Sequence, residues 1–301
     1  MAAEAESSNQ SLRPPVWRLV TAMVILQLVG SICYPIARYG LLIIEPFTFA
    51  FFRFLISSSV LLLLVRLRKR GRPVERGDWW KIVGLAVLIV PLNQTLFLVG
   101  QSMTGAGHGA FLFSTTPVCV FVLALIHLKE KATWKRTAGV LMATAGVLAI
   151  MWSGLRDVGR EYLWGDLIII AAVIAWGYYT ILGKTLVQKY GALRVTAYAM
   201  SIGSLFYLPL GLRFALKYDY SQATLAAWGS VVYMALGLSV VVYVLWYWML
   251  KYLDASRIAV YHNVQPVIAT FAAYLFLGEP LSAIFLIGGL IVISGVVITE
   301  L

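Results

Sequence analysis

The sequence predicts an all-α integral membrane protein: ten transmembrane helices arranged as two inverted five-helix repeats. Three observations carry this expectation. Apolar residues make up 61% of the 301-residue chain and charged residues only 12%, with a mean hydropathy of +0.85. A soluble domain is about 45–50% apolar and about 25% charged, so this chain has too little charge to solvate the surface of a globule. Ten stretches are long and apolar enough to span a bilayer, which takes about 20 helical residues. The second half also repeats the first at a fixed offset of 149 residues. Together these features exclude a cytosolic enzyme, a disordered chain and a secreted disulfide scaffold.

The polar start, Met1 to Pro15, lacks a basic region leading into a cleavable apolar core, so residues 1–16 read as a cytoplasmic tail rather than a signal peptide. The first repeat, 17–152, holds spans at 17–37, 46–65, 81–100, 108–128 and 134–152. The second, 164–299, holds spans at 164–183, 194–213, 227–250, 257–277 and 281–299. The runs are too long, and alternate too little, for barrel strands. The loops between them leave no room for a soluble domain.

Orientation follows from Lys and Arg, which mark cytoplasmic loops. With the N-terminus inside, inner segments and span ends hold 18 of them and outer ones five, with Arg53 alone well inside a span. Both termini are then cytoplasmic. A net charge of +11 could suit a nucleic-acid binder, but orientation signals account for it, and no nucleic-acid partner is expected. The run Arg66–Arg76 reads as an orientation signal, the alternative being a surface for anionic lipid or nucleic acid. Cys33 and Cys119 lie in apolar runs and read as packed thiols. With three scattered histidines they give no metal spacing, and no cofactor is expected.

In the ungapped alignment of Gly105–Ile150 with Asp254–Thr299, Pro117 falls on Pro266, Glu130 on Glu279, Gly139 on Gly288 and Gly146 on Gly295. Eleven of the 46 pairs are identical. Five spans per copy is an odd number, so the copies must enter the membrane in opposite directions. Inverted repeats place a binding site at their interface near the midplane.

The run Phe276-Leu277-Gly278-Glu279-Pro280-Leu281-Ser282, with Gly288-Gly289 and Gly295-Val296 after it, resembles the closing signature of the EamA domain of the drug/metabolite transporter superfamily. Leu128-Lys129-Glu130-Lys131-Ala132-Thr133-Trp134, with Gly139 and Gly146, is a looser copy that has Lys129 where the second has Gly278. Phe52-Arg53-Phe54-Leu55 resembles the Arg-Phe element of the family's second helix. The resemblance covers nearly the whole chain. It implies a ten-helix inverted-repeat fold and metabolite or drug transport, and the expected setting is a bacterial or archaeal plasma membrane.

Candidate site residues follow from the cost of polar groups in hydrocarbon. Pro117 and Pro266 should kink spans four and nine, freeing the carbonyls of Phe113 and His262. Ser114 and Thr116 precede the first proline; His262, Asn263 and Gln265 precede the second. These line a cavity or bond between helices. Asn93 and Gln94 in span three are similar, Gln94 matching Tyr243 under the offset. Arg53 either recognises an anionic group or braces the helices through carbonyls. Trp176, Tyr179, Tyr243 and Trp246 form a cavity wall for aromatic or amphipathic solutes, or belong with Tyr247 and Trp248 to an interfacial belt. Gly139, Gly146, Gly288 and Gly295 allow close helix packing.

The leading expectation is a secondary transporter, not an enzyme, that moves a small amino-acid-like or amphipathic metabolite outward. The partners are then a small-molecule substrate and the lipid bilayer, with monomer and homodimer both open. A phosphorylated metabolite or nucleotide sugar is the alternative substrate, and a receptor or scaffold the alternative class. No Asp or Glu lies mid-span, which favours facilitated diffusion or exchange over strict proton coupling.

Overall fold

The structure, a computed structural model, describes residues 14–68, 72–103, 112–151, 163–265, 267–268 and 283–300. All regular structure among these residues is helical. Helix α1 spans Val16–Leu41 and α2 Pro46–Arg68. The junction is built from local chemistry. Pro46 sits at the first helical position, where its missing N–H costs nothing. Glu45 caps α2, its two carboxylate oxygens accepting from Phe47 N at 2.9 Å and Thr48 N at 2.8 Å.

The third rod runs through α3 (Trp79–Val87), a π-helical stretch at Leu88–Thr95 and α4 (Leu96–Met103). Then come α5 (Thr116–His127), α6 (Trp134–Met151), α7 (Leu163–Tyr190) and α8 (Ala192–Ala215). A further rod joins α9 (Leu225–Tyr233), a second π-helical stretch at Met234–Val242, and α10 (Tyr243–Leu250). Last are α11 (Ala255–Val260), continued by a 3₁₀ turn at Tyr261–Asn263, and α12 (Ala283–Glu300). Six of the rods are long and apolar enough to cross a membrane: those beginning at Val16, Pro46, Arg76, Leu163, Ala192 and Leu225. Thr116–His127 and Leu286–Thr299 are shorter apolar helices.

Two features depart from plain spans. Helix α7 runs to Tyr190, past the expected end at 183, because its last two turns carry Lys184 and Lys189, which find partners beyond the apolar zone. The π-helical stretches are the second. In the first, Pro91 lacks an N–H and would clash with a normal α-turn, and the wider turn relieves this. Thr95 Oγ1 donates to Val90 O at 3.3 Å across that turn. The second stretch has no proline, and its local sequence does not explain it. Shifted by 149, the first stretch overlaps the second at 237–242.

Helices that correspond under the offset also pack together. A Cβ on Gly139 would lie 2.6 Å from Gly295 O, and one on Gly146 would lie 2.7 Å from Gly288 O. α6 and α12 therefore cross antiparallel with their backbones nearly touching, which only glycine allows. α2 and α8 also run antiparallel. Phe54 meets Tyr207 edge-to-face at 5.5 Å, and the hydroxyls of Ser58 and Ser204 are 2.7 Å apart. The bundle's outside is apolar: Leu63, Leu205, Ile287 and Leu290 are all exposed, as a lipid-facing surface requires. Cys33 is buried and Cys119 half-buried; both are free thiols.

Candidate functional site

The two π-helical rods meet at a polar node. Arg53, buried on α2, donates from Nε to Ser239 Oγ at 3.0 Å and from Nη1 to Gln94 Oε1 at 3.2 Å. Gln94 Nε2 donates to Tyr243 OH at 3.3 Å and to Asn93 Oδ1 at 2.7 Å. Asn93 Nδ2 in turn donates to Ala172 O on α7 at 2.8 Å. Gln94 thus touches Tyr243, its own counterpart 149 residues on. A residue in contact with its counterpart under the offset marks a place where the two matched segments meet.

A second such contact lies nearby. The Asn263 amide nitrogen donates to the carbonyl of Ser114, its counterpart, at 3.3 Å, and its oxygen accepts from Thr144 Oγ1 at 3.2 Å. Asn263 therefore ties the turn before α5 to α6. Thr116 acts locally. Its hydroxyl donates to Phe113 O at 2.6 Å, satisfying the carbonyl that Pro117 leaves without an N–H donor. Pro117 sits in the first turn of the described helix, with turn residues Ser114 and Thr115 before it. Pro266, His108 and Glu279 lie outside the described residues.

Around the node stands an aromatic cluster. Trp176 lies 5.4 Å from Tyr243, 5.8 Å from Trp246 and 5.6 Å from Tyr179, ring centre to ring centre. His262 lies 4.8 Å from Trp246 and 6.2 Å from Trp176. All four aromatic residues are buried. Tyr247 belongs with them rather than with an interfacial belt. It is fully buried, stacks on Tyr179 at 4.8 Å and donates to Tyr179 O at 2.9 Å. Its hydroxyl finds a backbone carbonyl instead of the headgroup layer. Gln265, one helical turn from His262, packs against Gly30 of α1, where a Cβ would come within 2.5 Å of its amide nitrogen. The node and the cluster thus join Arg53, Asn93, Gln94, Trp176, Tyr179, Tyr243, Trp246 and His262, while Ser114, Thr116 and Asn263 serve local or helix-to-helix bonds.

Sequence reasoning missed Ser239. It is a polar residue in the apolar run Leu236–Val244, and the question of what holds Arg53 would have found it. It also missed the charged end of the bundle. Lys184 Nζ donates to Glu130 Oε1 at 3.0 Å and lies 3.7 Å from Asp254. Glu130 also accepts from Ala255 N at 2.8 Å and Ser256 Oγ at 2.6 Å, capping α11, while Arg136 pairs with Asp254 at 2.6 Å. A cleft of about 320 Å³ opens beside this cluster. Lys189 pairs with Glu75 at 2.6 Å and Asp78 at 2.7 Å, and Tyr190 OH donates to Asp78 at 2.6 Å. Burial works to raise the Glu130 pKa, but the Ser256 hydroxyl, the Lys184 ammonium and the Ala255 N–H together hold it below its ordinary value.

Comparison with known proteins gives a consistent picture. The model of the EamA-like transporter family matches residues 17–152 and again 163–301. An "Uncharacterized transporter" of Archaeoglobus fulgidus is 32% identical over 93% of this chain and 96% of its own. A "Probable terminal-alkyne amino-acid exporter" of Streptantibioticus cattleyicolor is 28% identical over 95% of this chain and 93% of its own. One solved crystal structure superposes with a TM-score of 0.79 at 16% identity, covering 93% of this chain and 96% of that one, a likeness of fold.

Proposed function

Because the chain belongs to the EamA-like transporter family, we propose that it is a secondary transporter moving a small organic metabolite, amino-acid-like or amphipathic and aromatic, outward across a bacterial or archaeal plasma membrane by alternating access. Its relatives are transporters, not enzymes. In this reading ten helices form two inverted five-helix repeats, both termini are cytoplasmic, and the polar node with its aromatic cluster is the substrate site. The observation that carries it is the pair of self-counterpart contacts, Gln94 with Tyr243 and Ser114 with Asn263. They lie where two related halves would exchange inward- and outward-facing roles. The antiparallel glycine crossing of α6 and α12 supports the same symmetry. The name of the Streptantibioticus relative supports an exported amino-acid-like solute.

A phosphorylated or nucleotide-sugar substrate fits less well. A dianion wants two or more buried cations, and Arg53 is the buried Lys or Arg among the described residues. The same site holds no carboxylate among the described residues, which supports facilitated diffusion or exchange. The test is purified protein in proteoliposomes with radiolabelled aromatic and aliphatic amino acids. Saturable movement of an unmodified solute is expected; a receptor or scaffold gives none. Reporter tags at residue 1 and near residue 158 should report opposite faces, and the same face for both would remove the inverted-repeat reading. Stoichiometric proton movement that survives His262→Ala would remove the uncoupled mechanism.

A further inference from the structure

Most groups of the central node and cluster are accounted for by bonds within the protein. Several buried ones are not. Arg53 uses Nε and Nη1 on Ser239 and Gln94, but its Nη2 has no hydrogen-bond partner among the described residues. The same holds for the indole N–H of Trp176, the indole N–H of Trp246 and the hydroxyl of Tyr179. Buried polar groups are nearly always bonded, and a group of exceptions calls for an explanation. These are not scattered. Trp176 touches Tyr179, Trp246 and Tyr243, and Tyr243 shares Gln94 with Arg53. One contiguous patch therefore offers a cation and two indole donors, set among aromatic rings. It contains no carboxylate among the described residues.

Resting on the transport reading above, we propose that this patch reads the carboxylate of the solute through Arg53 Nη2 and packs its apolar body against Trp176, Trp246 and Tyr243, so that the carboxylate is required and an amino group is not. The chemistry is one-sided. A carboxylate accepts charge-assisted bonds from the guanidinium and neutral ones from the indoles. An ammonium meets ring faces, a guanidinium that repels it, and at most the Tyr179 hydroxyl and His262 Nε2 as acceptors, neither of them a carboxylate. A further unpartnered acceptor, Gln27 Oε1 on the α1 face that also carries Gly30, is an amide oxygen and not a carboxylate. The substrate class is then a monocarboxylate with an aromatic or extended apolar body, amino acids forming a subset. Arg53 serves both roles that its sequence position left open: two of its three nitrogens, Nε and Nη1, brace α2 to the π-helical rods, and the third, Nη2, reads the ligand.

The experiment is binding to the full chain in nanodiscs, followed by calorimetry and thermal shift, with three probes on one body: 3-phenylpropanoate, phenylalanine and 2-phenylethylamine. A matched aliphatic pair, heptanoate and hexylamine, tests the other kind of body. The acid and the amino acid should bind within about tenfold of each other, the range of a cation–π contact. The amines should bind at least about tenfold more weakly, as loss of a charge-assisted bond requires. Arg53→Gln should abolish acid binding. Since that change also removes a brace, Gln94→Glu is the companion variant. It keeps an acceptor for Nη1 and can accept from the Tyr243 hydroxyl, loses the donation to Asn93 Oδ1, and supplies an internal carboxylate that competes with the ligand; its unfolding midpoint without ligand checks that it folds. It should weaken acid binding at least about tenfold while leaving amine binding the same or stronger. The proposal is overturned if amines bind as well as acids, if no acid of either body binds, or if Gln94→Glu leaves acid affinity unchanged. Transport of solutes that do not need a carboxylate would overturn it while sparing the transport reading. Acid binding without movement across the vesicle would do the reverse.

Discussion

Lys129, the residue after the Leu128 C-cap of α5, has a φ of 52°, a left-handed backbone that L residues other than Asn and Asp rarely adopt. The second repeat has Gly278 at the matching place, where such a conformation costs nothing sterically. Lys129→Gly should therefore stabilise the protein by about 1 kcal/mol, measured as a shift of the unfolding midpoint in detergent. Its neighbour Glu130 gives a pH signature. Its pKa is held below the ordinary 4.5 by Ser256, Lys184 and Ala255 against the opposing effect of burial. A carboxylate depressed in the folded state contributes stability that is fully present above its unfolded pKa and lost as pH falls through its folded one. Glu130→Gln should thus cost roughly 2 kcal/mol at neutral pH, and the gap to the parent should close as the pH drops below 4.5. A gap that stays constant with pH would rule this out. At this scale the sequence was half legible. The cost of a charge in hydrocarbon singled out Arg53, but not which of its donors were used, since Ser239 lies 186 residues away. Glu130 was visible as a repeat counterpart of Glu279, whereas its capping of α11 depends on a tertiary approach that no local pattern encodes.

At the scale of elements, the six rods long enough to cross were legible because hydrocarbon forces every backbone group into a helix and so ties length to hydropathy. The π-helical stretches were not, since their apolar residues read the same at either winding. Close packing separates glycines that look alike in sequence. A Cβ on Gly146 would meet Gly288 O at 2.7 Å and Val292 Cγ2 at 2.8 Å, whereas one on Gly84 would meet nothing within 4 Å. Gly146→Val should force α6 and α12 apart and cost about 1–3 kcal/mol. Gly84→Ala, inside α3, should instead stabilise by up to about 1 kcal/mol, since it only removes backbone freedom from the unfolded chain. Equal effects of the two in a detergent unfolding assay would mean that the glycine crossing contributes nothing specific.

For the molecule as a whole, the 149-residue offset was visible because a proline, a glutamate and two glycines recur in register. It said which residues correspond but not which touch. That Gln94 meets Tyr243 emerges only from the packed halves. The same packing puts ion pairs at one end of the bundle between segments on either side of the offset. The last two turns of α7 set Lys184 on Glu130 and Lys189 on Glu75 and Asp78. Any rocking of one half against the other must part these contacts, because the lysines belong to α7 and the carboxylates to segments before residue 152. Each pair alone is worth little where it reaches solvent; on the alternating-access proposal, together they hold that end shut. Thr180, fully buried one turn before Lys184, is a convenient reporter. In a background with Cys33 and Cys119 replaced, Thr180→Cys should react slowly with a membrane-impermeant thiol reagent applied from the side of Lys184. Adding Lys184→Gln and Lys189→Gln should speed that reaction at least about tenfold, the factor that about 1.4 kcal/mol brings. On the alternating-access proposal, reaction from the opposite side should slow in the same variant, because opening one end closes the other. Acceleration from both sides would indicate a loosened bundle rather than a shifted equilibrium, and an unchanged rate from either side would mean that the two lysines do not hold the end closed.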